Sequence, residues 1–318
     1  MFPQIVDMWG MTIAVLIPCY NEEGAIAQVV REFRIAVPEA AIYVYDNNST
    51  DRTIEVARAE GAVVRSERRQ GKGNVVRRMF ADIEADIYVL VDGDATYHAA
   101  SAPAMIELLR TENLDMVVGT RLGTDDPEAF RAGHHFGNRL LTGIVAWLFG
   151  GGFSDMLSGY RVFSRRFVKT FPALADGFET ETELTVHAAS LDMPVAEVET
   201  PYFSRPEGTQ SKLRTYSDGF NILIAAFKLA KDERPIFVFG MGFLALALIS
   251  LGLAVPIVIT FMETGLVPRI PTALLATGTM LLAFLSLAAG IILDGVSSAR
   301  RELKRLAYLR YSAPGSLR

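Results

Sequence analysis

The chain has 318 residues, half of them apolar, and a net charge of -5. That length holds one large α/β domain plus an appendage, and that charge excludes nucleic-acid binding by bulk electrostatics. A single cysteine, Cys19, excludes an internal disulfide, and four histidines (His98, His134, His135, His187) without partner cysteines argue against a zinc centre.

From the N-terminus, β-rich runs alternate with helical ones. "TIAVLIP" (12–18) predicts a strand that ends at Cys19, a small buried hydrophobe, and "EGAIAQVVREFRIAV" (23–37) predicts an amphipathic helix. "AIYVYD" (41–46) is a second strand; the helix after it is capped by Ser49 or Asp51 and closed by Gly61. "AVVRS" (62–66), "IYVLVD" (87–92) and "DMVVGTR" (115–121) are further strands, with helices over 74–83 and near 104–109 between them. This alternation implies right-handed βαβ crossovers and a largely parallel sheet, buried on both faces where runs such as "IYVLV" lack polar alternation.

Ligands of open α/β sheets sit beyond the carboxyl ends of the strands. Those ends read Pro18-Cys19-Tyr20-Asn21-Glu22, Asp46-Asn47-Asn48-Ser49, Asp92-Gly93-Asp94 and Gly119-Thr120-Arg121. Asp92 and Asp94 have the carboxylate chemistry of a Mg²⁺ or Mn²⁺ site shared with substrate phosphate, and Gly93 permits a tight backbone between them. "GKG" around Lys72 is not a Walker A loop, because Ser66 and Gly73 break its spacing.

The mean hydropathy of +0.26 is high for a water-soluble chain, and its excess is local. Ile236–Met262 and Ile270–Leu293 carry no charge, and each exceeds the ~20 residues that cross a bilayer as a helix. Pro256 would kink the first span, which membrane helices tolerate. Lys228, Lys231 and Arg234 precede the pair, and Arg300, Arg301, Lys304, Arg305 and Arg310 follow it, against Arg269 alone between the spans. Both termini are therefore expected on the cytoplasmic side. No signal peptide is expected, and Met8 and Met11 are alternative starts. Residues 216–235 show an apolar face (Phe220, Ile222, Leu223, Ala226, Phe227) beside Lys228 and Lys231, the pattern of an interfacial helix.

"IPCYNEE", "YDNNSTDRT", "GKGN", "VDGD" and "GTR", in this order and spacing, resemble family 2 glycosyltransferases of the GT-A fold, and more narrowly the dolichol- and polyprenyl-phosphate sugar synthases. The resemblance covers about residues 11–215, and a C-terminal membrane hairpin occurs in part of that family. It implies a Rossmann-like GT-A catalytic domain (1–214), an interfacial helix (215–235), two transmembrane helices (236–262 and 270–293, within 236–294) and a basic cytoplasmic tail (295–318). On matching positions, Pro18, Tyr20, Glu22 and Asp46 would line the nucleoside pocket, Lys72 would sit near the diphosphate, and Asp92 and Asp94 would hold metal and diphosphate.

The family's usual "DDGS" reads here Asp46-Asn47-Asn48-Ser49, and Thr96 stands where the family often has glutamine. "DMLSGYRVFSR" (155–165), "GFETETEL" (177–184) and "RPEGTQSKL" (205–213) match further segments. Arg121, Arg131, Arg139, Arg205 and Lys212 are the expected cations for an acceptor phosphate, and Asp155 and Glu179 the carboxylates that orient the sugar. Asp94, Asp155 and Arg121 are the expected catalytic set; His134 and His135 lie in a loop before "FGNRLLTGIVAWLF".

The implied reaction is inverting, metal-dependent transfer of a sugar from a UDP- or GDP-sugar to a membrane polyprenyl phosphate. A homo-oligomer rests on analogy alone. A polysaccharide-extending enzyme would carry a Q-x-x-R-W motif, and neither Trp9 nor Trp147 lies in one. A catalytically silent membrane scaffold is the non-enzymatic alternative.

Overall fold

The structure is a computed structural model and describes residues 10–121, 143, 153–173, 180–205, 227–228 and 230–315. The first five expected strands form as β1 (Ile13–Cys19), β2 (Ala41–Asp46), β3 (Val63–Ser66), β4 (Ile87–Leu90) and β5 (Met116–Thr120). Between them lie α1 (Ile26–Ala36), α2 (Thr53–Ala59), α3 (Lys72–Asp82) and α4 (Ala102–Thr111). Two further strands, β6 (Arg161–Ser164) and β7 (Val195–Glu199), complete a sheet of order β3-β2-β1-β4-β6-β5-β7, with α5 (Arg165–Thr170) and α6 (Thr180–Ser190) between them.

Most neighbours pair in parallel, but β6 runs antiparallel to both β4 and β5. That reversal matters for the site. Arg161 of β6 lies opposite Leu90 and Val118, so the chain just before β6 emerges at the same edge where β4 and β5 end.

The apolar strands separate two cores. Val15, Ile17, Val44, Val89 and Val117 face the core shared with α1 and α4; Leu16, Tyr88, Leu90, Met116 and Phe163 face the one shared with α3, α5 and α6. Alternate residues thus enter opposite cores, so the runs show no polar alternation. Each such side chain contributes about 1.5–3 kcal/mol on burial. Helix α1 adds Ile26, Val29, Val30 and Phe33, one stripe at helical spacing.

The chain divides into two compact units, residues 1–222 with 304–318, and residues 223–303. Within the first, the hydroxyl of Tyr308 donates to Asp115 at 2.8 Å, and the Arg166 guanidinium lies 4.7 Å from the Tyr308 ring centre.

The second unit contains α7 (Pro235–Thr264) and most of α8 (Ile270–Tyr308), both long and apolar enough to cross a membrane. Helix α8 continues well past the expected span, because the polar run after Leu293 remains a good helix former. The two helices close in where side chains are small: Ser250 donates to Ala276 O at 2.7 Å and Ser286 to Phe239 O at 2.9 Å. A Cβ on Gly290 would stand 2.9 Å from Phe239. Such contacts are how helices associate where apolar burial gives no drive. Residues 215–226 of the expected interfacial helix lie outside the described residues.

Candidate active site

The site is built on the strand ends. After β1, Asn21 adopts a left-handed φ of 52° and its Oδ1 accepts from Thr50 N–H at 2.8 Å. The Asn21 and Glu22 N–H groups donate to Ser49 and Thr53 hydroxyls, each at 2.8 Å. The β1 and β2 loops are thereby stitched together, with Tyr20 36% exposed at the edge and Glu22 buried. Asp46 accepts Ser49 N–H at 3.2 Å on Oδ2, while its buried Oδ1 has no hydrogen-bond partner among the described residues.

The departures from the acidic "DDGS" pattern have physical reasons. The Asn47 amide donates to Glu67 O (2.9 Å) and Arg69 O (2.7 Å), while its oxygen accepts Gly71 N–H at 2.7 Å. A carboxylate could not donate those two bonds. Asn48 has φ 64°, the left-handed region that Asn tolerates better than most residues.

Gly93 lies in the tight segment between the two aspartates. Its φ is not left-handed; the turn falls at Ala95, φ 57°. What requires glycine is close approach, since a Cβ there would stand 2.5 Å from Cys19 Sγ. A Cβ on Gly159, just before β6, would likewise stand 2.5 Å from Asp92 Oδ2. Gly159 therefore cradles the Asp92 carboxylate.

Charged groups around β4 and β5 are paired. Lys72 Nζ, at the start of α3, lies 2.5 Å from Asp92 Oδ1 and 2.5 Å from Glu181 Oε1. Burial would lower the Lys72 ammonium, but Asp92 and Glu181 outweigh it and hold it above its ordinary range. Arg205 Nη2 lies 2.6 Å from Asp94 Oδ2, whose Oδ1 accepts the Thr96 hydroxyl at 2.7 Å. Thr96 thus braces the Asp94 carboxylate.

Arg121 forks onto Asp155 with Nε at 2.8 Å and Nη2 at 2.7 Å, and lies over the Tyr202 ring at 5.6 Å. Burial would raise the Asp155 carboxyl, but Arg121 overrides it and holds Asp155 below the ordinary carboxylate range. Behind this pair, the fully buried Arg161 donates to Ser158 O, Met156 O and the Thr185 hydroxyl.

Of the expected residues, the edge carries Pro18, Tyr20, Glu22 and Asp46 on the β1/β2 side, and Lys72, Asp92, Asp94, Arg121, Asp155 and Arg205 in ion pairs on the other. Arg131, Arg139, Glu179, Lys212, His134 and His135 lie outside the described residues. Glu181, Tyr97 and Tyr202 were missed. The threonine-glutamate alternation of "FETETEL" cannot tell which acid faces Lys72, and the tyrosines meet only through the fold.

Asp92 and Asp94 suit Mg²⁺ or Mn²⁺: hard oxygen donors at the edge where a diphosphate would supply the other ligands. Among the described residues no group of three or more acids, histidines or cysteines gathers, so a cage made wholly of protein is not what they form.

Residues 14–171 match glycosyl transferase family 2. Glycosyltransferase AglJ of Haloferax volcanii is 34% identical over 303 residues, spanning 93% of this chain and 98% of its own. A dolichyl-phosphate hexose transferase of the same organism is 28% identical over 222 residues, 70% of this chain and 95% of its own. The glucosyl-3-phosphoglycerate synthase of Mycobacterium tuberculosis superposes with a TM-score of 0.57 at 25% identity, over 69% of this chain and 81% of its own. That enzyme has also been seen in complex with Mn²⁺, UDP-glucose and phosphoglyceric acid, at a TM-score of 0.55. The mainly parallel sheet with its acidic edge and the near full-length match to AglJ thus agree, and the chain belongs to glycosyl transferase family 2, with a GT-A catalytic domain.

Proposed function

We propose that this glycosyltransferase moves a sugar from a UDP- or GDP-sugar to a membrane polyprenyl phosphate, with inversion at the anomeric carbon. The observation that carries the reading is the union of this acidic edge with two apolar helices whose surfaces stay outward. Only 6% and 17% of their apolar stretches are buried, whereas a soluble core helix would be mostly buried. A donor brings a soluble nucleotide; helices of this kind bring the enzyme to a lipid. The name of the dolichyl-phosphate hexose transferase supports the same direction.

In this reading Pro18, Tyr20, Glu22 and Asp46 receive the nucleoside, and a hydroxyl or base N–H satisfies the orphaned Asp46 Oδ1. Asp92 and Asp94 hold Mg²⁺ or Mn²⁺ against the diphosphate; Mn²⁺ and UDP-glucose in the mycobacterial relative support that. The metal supplies charge stabilisation to the leaving nucleoside diphosphate. Lys72 fixes Asp92 and adds a cation beside the diphosphate.

The acceptor phosphate, with a second pKa of ~6, is already a charged nucleophile near pH 7. Its oxygen forms the new bond to C1 while the bond from C1 to the diphosphate breaks, its electron pair leaving with the nucleotide. No strong base is needed, so Asp155 positions Arg121 rather than taking a proton, and Arg121 orients phosphate. Glu181 Oε2, buried without a hydrogen-bond partner among the described residues, suits a sugar hydroxyl, the role expected of Glu179. Arg131, Arg139, Arg205 and Lys212 are the further acceptor cations of this proposal. The catalytic domain and both termini face the cytoplasm, following the basic flanks.

The test uses purified protein in detergent, Mg²⁺ or Mn²⁺, a polyprenyl phosphate and a panel of radiolabelled UDP- and GDP-sugars, counting label extracted into organic solvent. One donor should label the lipid, EDTA should abolish labelling, and Asp94→Ala should lower it about a hundred- to a thousandfold. Nucleotide release without labelled lipid would overturn the acceptor and leave the donor half standing.

A further inference from the structure

The chain leaving β7 returns antiparallel along the loop that follows the two aspartates. Tyr97 and Tyr202 pair in an antiparallel bridge, and Phe203 N–H donates to Thr96 O at 2.8 Å. The Tyr97 and Tyr202 rings meet edge to face at 5.2 Å, and His98 meets Phe203 the same way at 5.9 Å. This short ribbon delivers Arg205 to Asp94. The cation expected at the acceptor phosphate thus rests on a carboxylate expected to take the metal.

Two cations compete there. Arginine stays charged at any working pH, so it does not leave Asp94 by losing its proton, and a second cation arriving at Asp94 competes with it directly. The two pairs on the D-G-D turn also differ. Lys72 is bracketed by Asp92 and Glu181 with its side chain 11% exposed, whereas the Arg205 side chain is 30% exposed. Lys72 is the more enclosed of the two cations and Arg205 the more open to solvent.

We propose that Arg205 is an exchangeable counter-cation of Asp94. Asp94 would exchange Arg205 for the divalent ion that accompanies the diphosphate, and the released guanidinium, still held close by the Tyr202–Phe203 ribbon, would take the acceptor phosphate. Binding of metal and nucleotide therefore strengthens binding of the acceptor, and by reciprocity the acceptor strengthens binding of the metal. The proposal rests on the reading of Asp92 and Asp94 as the metal's carboxylates.

The experiment measures Mn²⁺ binding to the full-length protein in detergent, without sugar donor or lipid, from the electron paramagnetic signal of unbound Mn²⁺. Arg205→Gln should tighten Mn²⁺ about tenfold, and Arg205→Lys should stay within about twofold of wild type. Asp94→Asn should lose most of the binding. In parallel, a short-chain prenyl phosphate should bind wild type about tenfold tighter with Mn²⁺ and UDP or GDP present than without, a gain that Arg205→Gln shrinks to about twofold.

If Arg205→Gln binds Mn²⁺ no tighter than wild type while Asp94→Asn abolishes binding, the exchange is wrong and the metal site stands. If Asp94→Asn binds Mn²⁺ as wild type does, both fall together. A merely structural Arg205 would show a lowered melting temperature and weaker, not tighter, Mn²⁺ binding in the Gln variant.

Discussion

The two halves of the catalytic edge are built from different interactions. At the ends of β1 and β2, amides and hydroxyls bind backbone: Asn21 with Thr50, Ser49 with Asn21, Asn47 with the 67–71 loop. At the ends of β4 and β5, carboxylates bind cations: Asp92 with Lys72, Asp94 with Arg205, Asp155 with Arg121. Hydrogen bonds to backbone, made by these groups and by the Asp46, Asp51 and Glu23 carboxylates, fix a shape that need not change when a nucleoside enters. Ion pairs can exchange partners when metal and phosphate arrive, yet neutralise one another until then. The difference separates recognition from chemistry along one sheet edge.

Breaking the ionic half should cost most. Lys72→Met leaves Asp92 and Glu181 facing each other without their cation. Losing one partner of a buried pair costs about 3–5 kcal/mol, and with the Asp92 side chain 29% exposed the low end applies. Thermal or denaturant melting of the detergent-solubilised protein measures it; a loss below about 1 kcal/mol would show that the two carboxylates do not depend on Lys72.

A subtler break comes from Gly159→Ala, which puts a Cβ 2.5 Å from Asp92 Oδ2. The carboxylate must swing away, at about 1–3 kcal/mol of strain. Mn²⁺ affinity should fall several-fold while melting changes little more than that strain requires. Unchanged metal affinity would mean that Asp92 is not held by this cradle.

Much of this was legible beforehand for reasons that can be named. Strands β1, β4 and β5 announce themselves by apolar runs because they are buried on both faces, and the D-G-D turn by its place after one of them. Strand β6 went unread because "RVFS" begins with arginine, a residue expected at the surface. Yet Arg161 is fully buried, its guanidinium bonded to two backbone carbonyls and a hydroxyl, and burial pushes its pKa down to about 10. The pairs Lys72–Glu181 and Asp94–Arg205 join segments more than a hundred residues apart, and no local pattern encodes such contacts. The residue types of the site could be read from the sequence, but their partners required the fold.

On the neutral half, Asn47→Asp tests whether the amide is structural. The substitution turns a donor into a carboxylate aimed at the Glu67 and Arg69 carbonyls. Two hydrogen bonds are lost and like dipoles oppose, about 1–3 kcal/mol. The loss should appear in melting and as a raised KM for the donor with a smaller change in kcat, because Asn47 holds the nucleoside side directly and reaches Lys72 only through Gly71. A fall in kcat alone would erase the division between the two halves.

The smallest expected effect sharpens the same division through pH. Asp155 has its folded-state pKa held below the ordinary carboxylate value by Arg121. A depressed carboxyl contributes stability that is fully present above its unfolded pKa, ~3.9, and is lost as pH falls from there through the folded value. The amide network around Asn47 has no such titration. Between pH 5 and pH 3, Asp155→Asn should therefore lose less stability than wild type, while at pH 7 it is the less stable of the two, having given up a charged bond to Arg121. Melting temperatures across that range measure it, with Asn47→Asp for contrast. If wild type and Asp155→Asn fall in parallel below pH 5, the Arg121 pair contributes nothing to folding, and the ionic half is held together by Lys72 and its two carboxylates instead.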